Sequence, residues 1–298
     1  TTITLFQQVR LLRSSTMAED ELFEVRNALH IGAFQTCVSD AGKLKVSSDF
    51  ENEKSVLVYR AMISQGKFKS VVVEVEDDAS SDLLAIKRLA RYMQGKSNKK
   101  ACVDESKKLQ EDGISMSNAV VALVSGMIFY NEEMYDEALR CVKSELLKDN
   151  ESLETIALTI QIYLAMHRVD RASKELKYMK TTLNEDATLT QLAGAWINLA
   201  KGGESIQESF YVFEELAQKY GDTPLLLNGQ AAACLMQGKY EDAEALLQTA
   251  EALDGNNADT LINTAVCAGF MGKSIEFAQR SLVTLSESHP THPFSVDL

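Results

Sequence analysis

The sequence predicts an all-α fold, an α-solenoid built from stacked helical hairpins. A small residue follows an aromatic or aliphatic anchor by three positions in most copies of a unit that recurs about every 34 residues. The prolines are Pro224, Pro290 and Pro293, so residues 1–223 lack this helix breaker. A content of 45% hydrophobic and 24% charged residues is ordinary for a folded protein. Since stacked repeats need no domain boundary, we expect residues 17–288 to form a single array.

The anchors stand near the start of the second helix of each unit. Their successive separations are 34, 34, 33, 34, 37, 34 and 34 residues. The anchors are Phe34, Phe68, Cys102, Tyr135, Val169, Ile206, Tyr240 and Ser274. The clearest copies are Gly32-Ala-Phe-Gln-Thr-Cys37, Glu133-Met-Tyr-Asp-Glu-Ala138 and Gly238-Lys-Tyr-Glu-Asp-Ala243. A period of 34 with Gly-x-Tyr-x-x-Ala between apolar-periodic segments is the tetratricopeptide signature. The sequence therefore predicts a tetratricopeptide-repeat superhelix of about eight helical hairpins.

The early units follow the pattern with one weak copy. The predicted helices of the first two units cover residues 20–29, 34–44, 53–64 and 68–75. Residues 82–112 form a weak third unit, in which Cys102 replaces the aromatic anchor. Ser97 and Asn98 interrupt the basic cluster of residues 96–100, which predicts a solvated polar turn between two helices.

The later units are clearer, and the copy around Tyr240 is the best example. Pro224 occupies the first turn of its first helix, where a missing N–H costs nothing. Ala243 and Ala250 are small because the second helix crosses close to its neighbours. The predicted helices of the fifth, sixth and eighth units cover residues 155–166, 170–180, 189–200, 206–220, 258–271 and 274–286. The tail 289–298 carries two prolines and is expected to leave the helical pattern.

The first sixteen residues differ from the rest of the chain. They contain Arg10, Arg13 and several Thr and Ser but no acid, as an organellar presequence does. The following Met17-Ala-Glu-Asp20, however, is typical of a cytosolic start. We expect residues 1–16 to be a disordered or non-native extension outside the array.

The charge of the chain disfavours two classes of ligand. The net charge is −13, from 43 acidic and 30 basic residues. Nucleic acid and anionic lipid are bound by clustered Lys and Arg, so we predict no nucleic acid partner and no direct membrane binding. The five cysteines lie far apart without a C-x-x-C pair, which indicates a reducing compartment.

Motifs that would indicate chemistry are weak. Gly272-Lys-Ser274 resembles the end of a phosphate-binding loop, but Cys267 stands where that motif requires glycine. His289 and His292 have metal-ligand spacing without a third ligand nearby in sequence. His30 adjoins a repeat turn, where we expect it to interact with helix C-terminal carbonyls. We therefore predict no enzyme, no cofactor and no metal.

Several blocks go beyond a generic repeat and resemble the epsilon subunit family of coatomer. These blocks are Glu21-Leu-Phe-Glu-Val-Arg-Asn-Ala-Leu-His-Ile-Gly-Ala-Phe-Gln35, residues 184–200, Leu225-Leu-Leu-Asn-Gly-Gln-Ala-Ala-Ala-Cys234 and Ser288-His-Pro-Thr-His-Pro-Phe294. The resemblance covers about residues 20–294, and the block from Asp186 to Ala200 with Gly202-Gly203 is specific. Residues 76–118 show little family-specific sequence, and the family usually continues past the end of this chain with a further helical stretch.

The resemblance implies a non-enzymatic structural subunit of the COPI vesicle coat. It implies work in retrograde Golgi-to-endoplasmic-reticulum and intra-Golgi transport, in the cytoplasm, on the cytoplasmic side of the Golgi membrane and on COPI-coated vesicles. The family's repeats curl around part of the C-terminal region of the alpha subunit and steady it. Other coat subunits, and the membrane, would be contacted only through the assembled coat.

The register of the repeats places a set of residues on the concave face, where we predict partner binding. They are Leu123, Met127, Tyr130, Gln161, Leu164, Asn198, Asn228 and Leu235. Their amides suit an extended partner, because Asn and Gln pair with both N–H and C=O. Alternatively, some of them, Leu164 and Leu235 especially, pack between neighbouring helices.

A second function stays open, a generic tetratricopeptide-repeat adaptor or co-chaperone that binds short peptide segments. Adaptors that hold a terminal carboxylate need Lys, Arg and Asn on consecutive first helices. The estimated inner positions include one lysine, Lys201, and no arginine. This composition favours an extended, mostly apolar partner segment.

Overall fold

The computed structural model describes residues 21–144, 147, 152–290 and 292–296. The predicted extension 1–16 lies outside these residues. Every regular element in the described part of the chain is helical, and the helices follow one another as hairpins. In each repeat we call the first helix A and the second helix B; A helices therefore carry odd numbers.

The first four repeats comprise α1 (Phe23–His30) and α2 (Phe34–Lys43), α3 (Glu51–Ser64) and α4 (Phe68–Glu74), α5 (Ser81–Met93) and α6 (Lys96–Asp112), and α7 (Ala119–Asn131) and α8 (Tyr135–Val142). The last four comprise α9 (Leu153–Ala165) and α10 (Val169–Tyr178), α11 (Thr188–Lys201) and α12 (Ser205–Tyr220), α13 (Pro224–Met236) and α14 (Tyr240–Leu253), and α15 (Ala258–Phe270) and α16 (Ile275–Ser288). A 3₁₀ turn, Ile114–Ser117, precedes α7, and a π turn, Met179–Leu183, follows α10. The all-α prediction of about eight hairpins is confirmed.

Side-chain caps fix where several A helices begin. Ser80 accepts a hydrogen bond from a backbone N–H of the first turn of α5, and Asn118 accepts two in α7. Ser152 and Thr223 cap α9 and α13 in the same way. Such a cap satisfies N–H groups that the helix itself leaves without an acceptor.

The turn between A and B helices recurs with the period of the repeat. Gly32 and Gly238 have φ angles of +80° and +74°, in the left-handed region that glycine adopts without strain. Glu133 and His167 adopt φ angles of 59° and 57° at the corresponding turns. The left-handed residue ends each A helix and directs the chain into its B helix.

The position three residues after the anchor is fully buried in six of the eight repeats. These residues are Cys37, Val71, Ala138, Ala172, Ser209 and Ala243. Each lies where its B helix crosses neighbouring helices, and a small or compact side chain permits the close approach. The buried apolar residues form five clusters that follow one another along the array.

One turn prediction was wrong. Residues 96–100 are not a solvated turn, because Lys96 begins α6. Gly95, with a φ of +132°, changes the chain direction by itself, and lysine is a good helix former. The ammonium of Lys99 lies 5.1 Å from the ring centroid of Tyr92 and 3.6 Å from the carboxylate of Glu132.

The C-terminal tail is partly helical, which differs from the expected departure from the helical pattern. After α16 a four-residue helix, α17 (Pro293–Val296), packs against α16. Pro293 is well suited to the first helical position, where no N–H is needed. Nδ1 of His292 accepts a hydrogen bond from the backbone N–H of Phe294 at 3.2 Å.

The A helices of the first six repeats form a closed circle. Helices α1, α3, α5, α7, α9 and α11 each contact the next, and α11 also packs against α1. Ile31, just after α1, is buried among Leu192 and Phe213 of repeat 6. The hydroxyl of Thr223 donates a hydrogen bond to the carbonyl of Ile31 at 2.6 Å, 192 residues away in sequence. Repeats 7 and 8 continue beyond this closure.

Candidate partner-binding site

The inside of the circle contains a cavity of about 350 Å³. Helices α1 and α3 line one side of it, and α7 and α9 line the other. Leu123, which the repeat register places on the concave face, lines the cavity together with Val120 and Leu153. The walls thus combine apolar side chains with charged groups, among them Arg60 and Glu154.

Three ionisable side chains join opposite sides of the circle. Glu154, at the start of α9, accepts hydrogen bonds from Nη1 of Arg60 on α3 at 2.7 Å to each carboxylate oxygen. Nε2 of His30, at the end of α1, lies 2.9 Å from the same carboxylate. All three side chains are mostly buried, and that of Glu154 is 20% exposed.

Electrostatics keep Glu154 ionised. Burial alone would raise the pKa of its carboxyl, but the charge of Arg60 and the hydrogen bond from His30 outweigh burial and hold that pKa far below its ordinary value. The expectation that His30 interacts with helix carbonyls was wrong, since a carboxylate on another repeat is its partner. Sequence reasoning missed this cluster, because its members are 94 and 124 residues apart and no local pattern links them.

Of the three predicted residues of α7, Leu123 lines this cavity, and Met127 and Tyr130 do not. Leu123 is buried, whereas Met127 and Tyr130 are half-buried and pack against the large apolar cluster of repeats 2 to 5. The ring of Tyr130 lies 6.0 Å from that of Tyr135 in a tilted arrangement. Met127 and Tyr130 therefore have one packed side and one accessible side.

The predicted residues of α9 and α11 are also half-buried. Leu164 packs against the apolar cluster of repeats 5 and 6, and Gln161 lies one turn before it on α9. Asn198 donates a weak hydrogen bond from Nδ2 to Glu208 at 3.3 Å. These residues lie on neighbouring A helices of the circle.

The predicted residues of α13 lie beyond the circle. Nδ2 of Asn228 donates to the carbonyl of Pro224 and to the hydroxyl of Thr260, both at 2.7 Å. Its Oδ1 accepts a hydrogen bond from Asn263 at 2.8 Å. The buried amide therefore joins α13 to α15 and has both of its N–H groups engaged. Leu235 is half-buried against the core of repeat 7.

The cysteine thiols have the environment of structural residues. All five are buried, and burial raises the pKa of Cys37 to about 11 and that of Cys141 to about 12. A thiol with such a pKa stays protonated at neutral pH and is a poor nucleophile or metal ligand. Within the described residues no group of three His, Cys, Asp or Glu side chains is arranged to hold a metal.

Comparison with known proteins decides the family. A family model described as "Coatomer epsilon subunit" matches residues 18–298. The chain belongs to the coatomer epsilon subunit family. Coatomer subunit epsilon-1 of Arabidopsis thaliana is 38% identical over 279 residues, which cover 94% of this chain and 92% of that protein. Coatomer subunit epsilon of Dictyostelium discoideum is 31% identical over 287 residues, 94% of each chain.

Membership of the coatomer epsilon subunit family makes this chain a subunit of coatomer, the COPI coat of transport vesicles. The family match runs through residues 76–118, where the sequence shows few family-specific features. None of the helices described is long and apolar enough to cross a membrane.

Solved structures agree on the fold. A tetratricopeptide repeat protein from Parabacteroides merdae superposes with a TM-score of 0.56 and 14% identity, over 87% of this chain and 93% of that one. A chain of the Cut9–Hcn1 hetero-tetramer of APC/C superposes with a TM-score of 0.57 and 13% identity, over 95% of this chain and 55% of that chain. At these identities the likeness confirms the tetratricopeptide-repeat fold alone.

Proposed function

We propose that this coatomer epsilon subunit is a non-enzymatic structural subunit that binds an extended segment of the C-terminal region of the alpha coat subunit. Binding steadies that segment within the coat during retrograde Golgi-to-endoplasmic-reticulum and intra-Golgi transport. The observation that carries the proposal is the closed circle of six A helices around a partly apolar lumen. A circle of this kind holds a chain segment more securely than an open groove does, because the segment contacts several repeats at once.

The half-buried residues of the circle supply the contact surface. Met127 and Leu164 offer apolar area that a partner would remove from water, at about 25 cal/mol per Å². Tyr130 and Gln161 add polar groups to the same surface, and Asn198 follows on α11. Since the amide of Asn228 is engaged within the chain, we assign it the role of fixing repeat 8 against repeat 7.

The cluster of Glu154, Arg60 and His30 supports this function by fixing the width of the lumen. It connects the start of α9 to α1 and α3 across the circle. A preformed lumen lowers the conformational cost of binding an extended segment. In this arrangement the epsilon subunit acts as a rigid clamp.

We place the protein in the cytoplasm, on the cytoplasmic side of the Golgi membrane and on COPI-coated vesicles, with membrane contact only through other coat subunits. The net charge of −13 supports this placement, because an acidic surface is repelled by anionic lipid. The same charge supports a protein partner over nucleic acid. The proposed function needs no cofactor.

Affinity isolation of the tagged full chain from cells, followed by mass spectrometry, tests the proposal. We expect the alpha coat subunit to be recovered in near-equimolar amount and to remain bound when the isolated complex is washed with 0.5 M salt, about the range in which surface ion pairs are screened. Recovery of chaperones or diverse peptide-tailed proteins without the alpha subunit would favour a generic adaptor instead.

A further inference from the structure

Among the described residues, Arg88 on α5 is a buried cation that forms no direct ion pair, although the charge of Glu105 acts on it from a distance. Its side chain is 7% exposed, and Nη2 donates to the hydroxyl of Ser125 at 3.1 Å. Its Nε has no hydrogen-bond partner in the part of the chain that the structure describes. No carboxylate described there forms an ion pair with this guanidinium, and Glu105 is paired with Arg91 at 3.1 Å. A buried charge without a direct ion pair is unfavourable, and a native fold rarely carries such a cost without a use.

A cavity of about 480 Å³ lies beside Arg88, between α5, α6, the 3₁₀ turn and α7. Leu84, Leu109 and Val121 line its apolar part. Its polar part is formed by Ser81, Ser115, Ser117 and Asn118. Ile114 also lines it and is 77% exposed, so a large aliphatic side chain stands in water at this site.

We propose that this cavity binds an acidic side chain of an extended partner polypeptide. The Glu or Asp carboxylate pairs with the guanidinium of Arg88, and an aliphatic neighbour of that residue packs on Ile114 and Leu84. Guanidinium and carboxylate form charge-assisted hydrogen bonds that are about twice as strong as neutral ones. Binding thus supplies the direct ion pair that Arg88 lacks and covers the exposed aliphatic groups.

Two observations favour an acidic peptide over a small free anion. Exposed Ile114 and Leu84 offer apolar surface that phosphate or acetate would leave uncovered. The chain has a net charge of −13, which repels a multiply charged anion more than a single carboxylate. This site is separate from the lumen of the circle, and its use does not depend on the alpha-subunit proposal.

Titration of the full chain with three probes tests the inference. The probes are a capped peptide with one glutamate between two leucines, the same peptide with glutamine, and sodium acetate. The NMR signal of the Arg88 Nε–H group reports binding. We expect a saturable shift with the glutamate peptide, affinity at least about tenfold lower with the glutamine peptide, since that factor is 1.4 kcal/mol, and no saturation with acetate in the same range. Equal affinity for both peptides, no shift with either, or acetate binding as tight as that of the peptide would overturn the proposal.

Matched variants identify the group responsible. Arg88→Met should abolish peptide binding, and Lys87→Met, which removes the same charge from the same helix but from the pair with Asp77, should leave affinity within about twofold. Ile114→Ser should weaken binding by about fivefold while the exposed position keeps the fold intact. This third variant decides the matter if Arg88→Met fails to fold. Undiminished affinity in Ile114→Ser and in any folded Arg88→Met would contradict the site.

Discussion

At the scale of single residues, the small side chains at the helix crossings determine how closely the repeats stack. Ala243 is fully buried three positions after its anchor, and Ala138 and Ala172 occupy the same place in their repeats. Because protein interiors are close-packed, added atoms at these crossings would have to displace neighbouring side chains or helices. Stability should therefore respond to side-chain volume at these positions more than to polarity.

Ala243→Leu should lower the free energy of unfolding by about 1–3 kcal/mol, because the added atoms force the crossing helices apart. Urea unfolding followed by circular dichroism measures this loss. Ala245→Leu is the matched control, since Ala245 is exposed two residues further along the same helix. Equal stability of Ala243→Leu and wild type would show that this crossing is not tightly packed.

Glu154→Gln tests the ion cluster of the lumen. It should cost about 1–3 kcal/mol at neutral pH, because charged hydrogen bonds from Arg60 and His30 are weakened. The pKa of Glu154 in the folded chain lies below its ordinary value of 4.5, so ionised Glu154 stabilises the fold above about pH 4.5. That contribution is lost as the pH falls, and the difference between wild type and variant should shrink from pH 5 to pH 4.

Glu53→Gln is the control for the cluster, because Glu53 lines the same cavity and pairs with Arg26 but is more exposed. Its loss should cost less than about 1 kcal/mol. A difference between Glu154→Gln and wild type that stays constant from pH 5 to pH 4 would argue against a depressed pKa at Glu154.

At the scale of helices, the contact of repeat 1 with repeat 6 makes this array differ from an open solenoid. In an open array each repeat contacts only its neighbours, and a local change stays local. Here Ile31 is buried against α11 and α12, and its carbonyl accepts a hydrogen bond from the hydroxyl of Thr223. The two ends of the circle should therefore unfold together.

Ile31→Ala tests this coupling by hydrogen exchange. Loss of the buried side chain should cost about 2–5 kcal/mol and speed amide exchange in α11 and the start of α13, as well as in repeat 1. Ile63→Ala, a similarly buried change in repeat 2, should leave exchange in α11 unchanged. Faster exchange confined to repeats 1 and 2 in Ile31→Ala would mean that the closure contributes no stability.

Features that depend on one hairpin could be predicted from the sequence, and features that depend on the superhelix could not. Anchors such as Tyr240, the turn at Gly238 and the proline at the start of α13 act over a few residues, so pattern alone places them. The helical start of α6 at Lys96 was missed, because a single glycine at position 95 replaced the expected polar turn. Closure at Ile31 depends on small rotations summed over six repeats, which no local pattern specifies.

The candidate site also combines features that the sequence predicts with features that depend on the curvature of the superhelix. The register assigned Met127, Gln161 and Leu164 to the A helices of the circle, but it gave no distances across the lumen. Glu154 and Arg60 come from different repeats, and their 2.7 Å contact follows only from the curvature of the array. The same curvature left Asn228 beyond the circle, where its amide joins two helices.

At the scale of the whole molecule, the A helices of the first six repeats form a closed circle, and the last two repeats extend from it. The circle has a narrow lumen crossed by an ion cluster and bordered in part by half-buried apolar residues. This shape suits a protein that holds one segment of a larger coat component. The proposed function places the partner against the A helices.

The most direct test measures, by calorimetry, how tightly the C-terminal region of the alpha coat protein binds the full chain that carries Met127→Glu and Leu164→Glu together. We expect binding at least about tenfold weaker with unchanged helicity, because burying unpaired carboxylates costs more than 1.4 kcal/mol. The control carries Val73→Glu and Leu253→Glu, which add the same charge at exposed positions on B helices and should leave affinity unchanged. Undiminished binding by the folded double variant of Met127 and Leu164 would contradict the proposed function and point to the convex surface or the repeat edges.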